Sequence, residues 1–348
     1  MTTSQPEEPG GAPRCRPSAR PSRRRVLTGA LGAAALAAGC SEHGAAPTTP
    51  ATPTPPTAAG GPTGASSAAP ALPATSAWTP GAGQVQPDVK LRAAQLIEAL
   101  GAWPDGGQGV ARARDRIAPL GLDPALADQA GALLPTADRA ALQVIVAQYG
   151  GILTDSASVL VVCDQWTQTA DGPVLPGGTT VDVRLSAASP RWTVTALNPA
   201  APGPPAAALS QPAESVLADR RITLPPAAVA DIRSGAVHDS VLNAMLALAA
   251  AHAFAVSVVR SGHPLDVFGT ARPSDHPLGR AFDVWQIDGR AVVDPETPHA
   301  LVDGFMRAAA AAGSYNVGGP RRLSGGSTPN QFFTDATHHD HVHVGFRT

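Results

Sequence analysis

Ten histidines occur in this 348-residue chain, and nine of them lie from His238 onward. Four crowd into "THHDHVHVGF": His338, His339, His341 and His343. Imidazole is the commonest metal-binding side chain. In a β-strand residues i and i+2 share a face, so His341 and His343 point together while Val342 and Val344 point the other way. The same parity in "RAFDVW" puts Ala281, Asp283 and Trp285 on one face and Phe282 and Val284 on the other. A core sheet holding both strands directs Asp283 and His343 into one cleft. His276, in "SDHPLG", reaches that cleft from the preceding loop, with Gly279 easing the turn. Three protein ligands of N and O type, with one position left for water, make the pattern of a catalytic zinc site, one ion per chain. Zinc lowers the pKa of its water to roughly 7. No cysteine stands near these residues, which separates the pattern from a closed structural zinc site.

"SDHPLGRAFD" resembles the Ser-x-His-x-x-Gly-x-Ala-x-Asp signature of the D-alanyl-D-alanine metallopeptidases. The relatives of that fold include murein endopeptidases, L-alanyl-D-glutamate peptidases and the hedgehog signalling domain. The match falls on Ser274, His276, Gly279, Ala281 and Asp283, and "DHVHV" resembles the closing His-x-His or acid-x-x-His strand of the same group. The resemblance spans about residues 240–346. It implies that His276, Asp283 and His343 bind zinc, and that the chain hydrolyses amide bonds in peptidoglycan stem peptides.

Two residues compete for the role of general base. In the D-alanyl-D-alanine branch a glutamate stands three before the last histidine ligand, and Asp340 holds that place here. The murein-endopeptidase branch carries His-x-x-His-x-His, which His338, His341 and His343 match. A strand that already includes residue 340 turns Asp340 away and favours His341; a strand that starts later lets Asp340 swing in. The relatives also carry a Ser-Gly-Tyr-Arg type turn whose arginine contacts substrate. Arg260, in "VVRSGHP", is the counterpart as a carboxylate or oxyanion clamp, and Ser274 hydrogen-bonds substrate or orients its loop. His339 reads as a solvated residue or an outer partner of the site. His238, His252 and His299 lie on or beside helices and read as surface or core residues. Three competing readings follow: a zinc-retaining binding protein without turnover, a metal-free buried Asp283–His343 pair, and a zinc-scavenging lipoprotein.

These residues need a scaffold, and the chain divides accordingly. From about Val85, "DVKLRAAQLIEALGAW" places apolar residues at helical spacing. "GVARARDRIAPLGL", "DPALADQAGALL" and "TADRAALQVIVAQYG" read as further helices. "SASVLVVCDQWTQT", "GTTVDVRLSAAS" and "RWTVTALNP" read as strands. Helices followed by a meander predict an α+β accessory domain over 85–200, in an order that resembles the cone-shaped ketosteroid-isomerase-like fold. No catalytic cluster stands out in it, so it reads as a spacer or partner-binding domain. A linker covers 201–215. Residues 216–348 predict a second α+β domain, zinc peptidase-like, with a small antiparallel sheet. Its elements are a short strand at Ile222 to Leu224, a helix after Pro226, a helix from Ser240 to His252, the strand "FAVSVVRS", the helix "PHALVDGFMRAAAAAG" and the closing strand.

The N-terminus addresses this machinery. "SRRRVLTGALGAAALAAGC" has a basic start, a short apolar run and small residues before Cys40, the layout of an export signal over 1–39. Ser22 to Leu27 resembles the twin-arginine motif. Ala37-Ala38-Gly39-Cys40 resembles a lipobox, which implies lipidation at Cys40 and anchoring to the membrane facing the cell wall. Residues 40–84, rich in Pro, Thr, Ala and Gly, predict a disordered tether. Removing a segment with six arginines and two glutamates takes the formal charge from −2 to −6. A mildly acidic chain has no electrostatic footprint for nucleic acid. Of three cysteines only Cys163 then remains, in a strand, which predicts a small core residue rather than a nucleophile.

Overall fold

The computed structural model describes residues 71–348. The export signal, Cys40 and the tether as far as residue 70 lie outside the described residues. Residues 71–84 form no helix or strand, yet they are held in place, so the predicted disorder does not extend to them. The Trp78 amide donates to Glu98 Oε1 at 2.6 Å, and the Ser76 amide donates to Gln143 Oε1 at 3.0 Å.

Helix α1 (Pro87–Gly101) opens on a proline, whose missing N–H would be unpaired there in any case. Its Val89, Ala93, Leu96, Ile97 and Leu100 repeat every three to four positions and bury one face. That face packs on the strands β1 (Arg139–Ile152) and β2 (Ser156–Gln168). Helix α2 (Val110–Ile117) follows α1. The next predicted helix, "DPALADQAGALL", is instead two short 3₁₀ turns, Pro124–Gln129 and Gly131–Leu133. Gly131, at φ +51°, interrupts the run.

The larger correction concerns "TADRAALQVIVAQYG". It predicts a helix and forms β1 instead. With β2, β3 (Leu175–Ser186) and β4 (Thr193–Pro199) it makes a four-stranded antiparallel meander. The alternation that marks a half-exposed strand is lost because this sheet is covered on both faces. Val144, Ala147 and Tyr149 enter the core under α1. Gln148, Ser158, Leu160, Thr180 and Asp182 are buried outside that core. Two register breaks in β1, between Val144 and Val146 and between Tyr149 and Gly151, blur the period further.

The second core gathers α3 (Gln211–Ala218), α4 (Pro226–Arg233), α5 (Asp239–Ala249) and α6 (His299–Ala311) around a seven-stranded sheet. Its strands are β5 (Ile222–Thr223), β6 (Phe254–Val258), β7 (Ala281–Ile287), β8 (Arg290–Ala291), β9 (Asn316–Gly318), β10 (Phe332–Phe333) and β11 (Val342–Gly345). The spatial order is β10-β9-β11-β7-β6-β5, with β8 paired to β7. This sheet is larger than predicted and mixed: β5 runs parallel to β6 and β10 parallel to β9, and the other pairs are antiparallel. Helix α3 begins inside the predicted linker, and its Ala213 and Val216 enter the second core. The described chain is thus α+β with two sheets and two hydrophobic cores. Helix α4 packs against β3, so the cores are in contact. Among the described residues no helix is long and apolar enough to cross a membrane.

Candidate metal centre

Register brings the first two candidate ligands together. Strand β11 pairs antiparallel with β7, and His343 lies directly opposite Asp283. Side chains opposite one another on neighbouring strands start about 4.5–5.5 Å apart at Cβ. His276 arrives from the turn before β7, as the spacing predicts. The turn closes where the Gly279 amide donates to the His276 carbonyl at 2.8 Å. Gly279 has φ +70°, and a Cβ there would stand 2.0 Å from the Ala236 carbonyl oxygen, so both conformation and space require glycine.

His276 Nε2 lies 3.1 Å from Asp283 Oδ1 and 3.2 Å from His343 Nδ1, and His343 Nδ1 lies 2.9 Å from Asp283 Oδ1. Ligands about 2.0–2.1 Å from a tetrahedral centre stand about 3.3 Å apart, so this triangle has nearly that size. The other nitrogen of His276 fixes its tautomer. Nδ1 sits 2.8 Å from the Val259 carbonyl, which can only accept, so Nδ1 donates; in the neutral ring Nε2 then carries a lone pair, and in the charged ring it donates to Asp283. That lone pair meets a carboxylate, itself acceptor-only, and a second imidazole. A cation satisfies all three atoms at once. The outer hydrogen bond to a carbonyl is the arrangement that metal-bound histidines require. Burial pushes His343 down to about 4, so it is neutral at neutral pH. Burial would raise Asp283, but His276 and His341 override it and hold the carboxyl well below its usual range.

His263 is a further candidate that the sequence reading did not select. It offers a nitrogen within 4.8 Å of ligand atoms of His276 and Asp283. Its ring lies flat on that of His276, with centroids 4.0 Å apart. His343 Nδ1 stands 3.2 Å from His276 Nε2 and 2.9 Å from Asp283 Oδ1, while His263 stacks its ring on that of His276. The sequence signal for His263 was the histidine in "RSGHP", which has no partner at ligand spacing.

The two candidate bases form one unit. His341 Nδ1 lies 2.6 Å from Asp340 Oδ1, so Nδ1–H donates to the carboxylate and Nε2 is left to face away from it. Nε2 lies 3.6 Å from Asp283 Oδ2, facing the ligand triangle. Asp340 is turned the other way: its Oδ2 is paired with Lys90 and accepts from the Tyr149 amide at 3.1 Å. Burial would raise Asp340, but the Lys90 cation and the His341 hydrogen bond hold it at about 2. Burial would lower His341, and the Asp283 and Asp340 carboxylates override it and raise its pKa. His338 stands beside His341, with ring centroids 5.1 Å apart, and is braced by Asp335 at 2.7 Å.

A cavity of about 390 Å³ opens over these groups and is lined by His263, His276, Asp283, His338, His341 and His343. Ser274 also lines it, and its hydroxyl accepts from the His276 amide at 3.4 Å, which orients the turn. Arg260 is not brought to this cavity. Its guanidinium lies 3.8 Å from Asp231 and donates to the Pro202 carbonyl at 3.3 Å, in the wall of an adjoining cavity. Arg272 is the arginine that lines the cavity over the ligands. His339 donates to the Gly83 carbonyl, and His252 pairs with Asp288 at the surface. Cys163 is buried and donates to the Thr179 carbonyl, and burial pushes its thiol up to about 12, so it is no nucleophile.

The accessory half is not a bystander. Gln148 on β1 donates from Nε2 to Asp283 Oδ2 at 2.6 Å, Lys90 on α1 holds Asp340, and Tyr149, Gly150 and Ile152 line part of the cavity. Nothing in the spacing of "VAQYGG" marks these residues, because the contacts depend on how two separate cores meet. No family model, curated protein or solved structure matches this chain.

Proposed function

We propose that the chain is a zinc-dependent peptidase that hydrolyses amide bonds in peptidoglycan stem peptides, exported and anchored to the membrane through lipid on Cys40. The carrying observation is the convergence of His276 Nε2, Asp283 Oδ1 and His343 Nδ1 within 3.2 Å of one another, with His341 aimed at the same point. The substrate class and the zinc peptidase-like fold rest on the "SDHPLGRAFD" and "DHVHV" resemblance. The order of α1, α2 and β1–β4 is the sole ground for a ketosteroid-isomerase-like N-terminal core, and no function is drawn from it.

In this reading His276, Asp283 and His343 hold one zinc ion. Zinc at such a site polarises a carbonyl and makes water acidic enough to react near neutral pH. His341 Nε2 takes the proton of the attacking water and returns it to the leaving amide nitrogen as the carbon–nitrogen bond breaks. Asp340 fixes the His341 tautomer and stabilises the imidazolium that forms, as a buried carboxylate does behind other catalytic histidines. Arg272 is the cation available to a substrate carboxylate in the cavity.

One observation favours a second reading, a wall-binding or partner-binding lipoprotein that keeps zinc without turnover. Arg260, where the resemblance implies a substrate clamp, is engaged by Asp231 instead. Digestion of purified muropeptides, with mass analysis of products and a chelator control, separates the two. Chelator-sensitive cleavage of a stem-peptide amide supports the peptidase. Tight binding of stem peptide without products supports the binding protein.

A further inference from the structure

We infer that the N-terminal core is part of the metal centre itself, with Gln148 acting as a positioning residue that sets how tightly Asp283 binds metal. The inference rests on the reading of His276, Asp283 and His343 as ligands. A carboxylate has two oxygens, and in Asp283 they have separate duties. Oδ1 faces both histidine nitrogens of the triangle. Oδ2 accepts from Gln148 Nε2 at 2.6 Å. That hydrogen bond stops the carboxylate from rotating and keeps Oδ1 directed at the ligand point.

The orientation of Gln148 is itself set by the second core. The Asp283 carboxylate can only accept, so the Gln148 NH₂ faces it, and the carboxamide oxygen on the other side accepts from the Ser257 hydroxyl. Gln148 is fully buried, so in a variant of equal volume there is no room for water to replace the donor. It lies 135 positions from Asp283 and belongs to a different sheet. The site is therefore built by two cores that meet, and the Lys90–Asp340 pair is a second contact of the same kind on the other side of His341. A hydrogen bond serving only the packing of the two cores would change stability and leave metal affinity alone. Loss of an outer partner to a metal-binding carboxylate changes affinity.

The test uses the full mature chain and measures zinc affinity by competition with a chromogenic chelator. Gln148→Met keeps length and volume and removes both hydrogen bonds. Zinc affinity is expected to fall by about 10–100-fold, with a circular dichroism spectrum like that of the wild type. Ser257→Ala frees the carboxamide to rotate, and a fall of several-fold in the same direction is expected. Wild-type affinity in Ser257→Ala and in a folded Gln148→Met overturns the inference. If Gln148→Met does not fold, Ser257→Ala alone decides it. A wild-type chain that binds no zinc overturns this inference and the metal reading together. A chain that binds zinc but cleaves no stem peptide overturns the peptidase reading, while the affinity comparison still decides the role of Gln148.

Discussion

Lys90 and Asp340 form an ion pair in which the side chains are 0% and 5% exposed, across 250 positions of sequence. The Lys90 ammonium also lies 4.7 Å from the centre of the Tyr149 ring, and the Tyr149 amide donates to the same Asp340 oxygen. One buried pair thus ties α1 and β1 of the first core to the candidate base of the second. Removing one partner from such a pair leaves an uncompensated charge. Lys90→Met is expected to cost about 3–5 kcal/mol in urea unfolding, and Lys90→Met combined with Asp340→Asn is expected to recover part of that. A single variant within about 0.5 kcal/mol of wild type, the range of an ordinary surface substitution, would show that the pair contributes nothing.

The same pair predicts an acid limit. Asp340 titrates at about 2 in the folded chain and near 3.9 when unfolded, so its folded pKa is depressed. A depressed carboxyl contributes stability that is present above the unfolded value and is lost as pH falls through the folded one. The urea midpoint of the chelator-treated chain is expected to fall between about pH 4 and pH 2. In Asp340→Asn that part of the slope should be missing, and an unchanged slope would assign the acid sensitivity to other groups.

The ligand set predicts stoichiometry. The mature chain is expected to carry about one zinc, since three side chains make one open site. Asp283→Ala and His343→Ala should each abolish it, because each removes a corner of the triangle. Elemental analysis finding full zinc in both variants would refute the assignment. If His263→Ala lost the metal and His343→Ala kept it, the third ligand would be His263.

His341 and Asp340 predict a graded loss. A general base is worth about 10²–10⁴ in rate, so His341→Ala should retain zinc and lose hydrolysis by that factor. Asp340→Asn should retain zinc and slow hydrolysis as well, because the Nδ1 proton loses its charged acceptor. The measurement is turnover of stem peptide by each metal-loaded variant. Normal rates in both would mean that neither residue handles the proton.

Gly279 predicts a structural failure at the turn that delivers His276. Alanine there adopts positive φ with its Cβ in the space of the Ala236 carbonyl. A loss of at least about 2 kcal/mol is expected for Gly279→Ala, measured by thermal or urea unfolding. A stability equal to wild type would mean that the 274–279 turn has another accessible path.

The placement of the candidate ligands was legible because it is local. Alternation along "HVHV" and "AFDVW" is a property of the strand itself, so His343 and Asp283 could be assigned to one face from their positions alone. The types of side chain suggested a metal, since two imidazoles and a carboxylate are common N and O ligands. The same local rule failed at β1. Its residues are buried on both faces and interrupted by two bulges, so neither a period of 2 nor one of 3.6 stands out clearly, and a strand reads as a helix. Tertiary structure alone decided the rest. Register set His343 directly opposite Asp283, and the pairing of Asp340 with Lys90 left His341 to face the ligands. The burial of Gln148 between two cores gave Asp283 its outer partner. Such contacts join residues 60 to 250 positions apart, and no local pattern encodes them: the first depends on how strands pair within one sheet, the others on where one core presents its surface to the other.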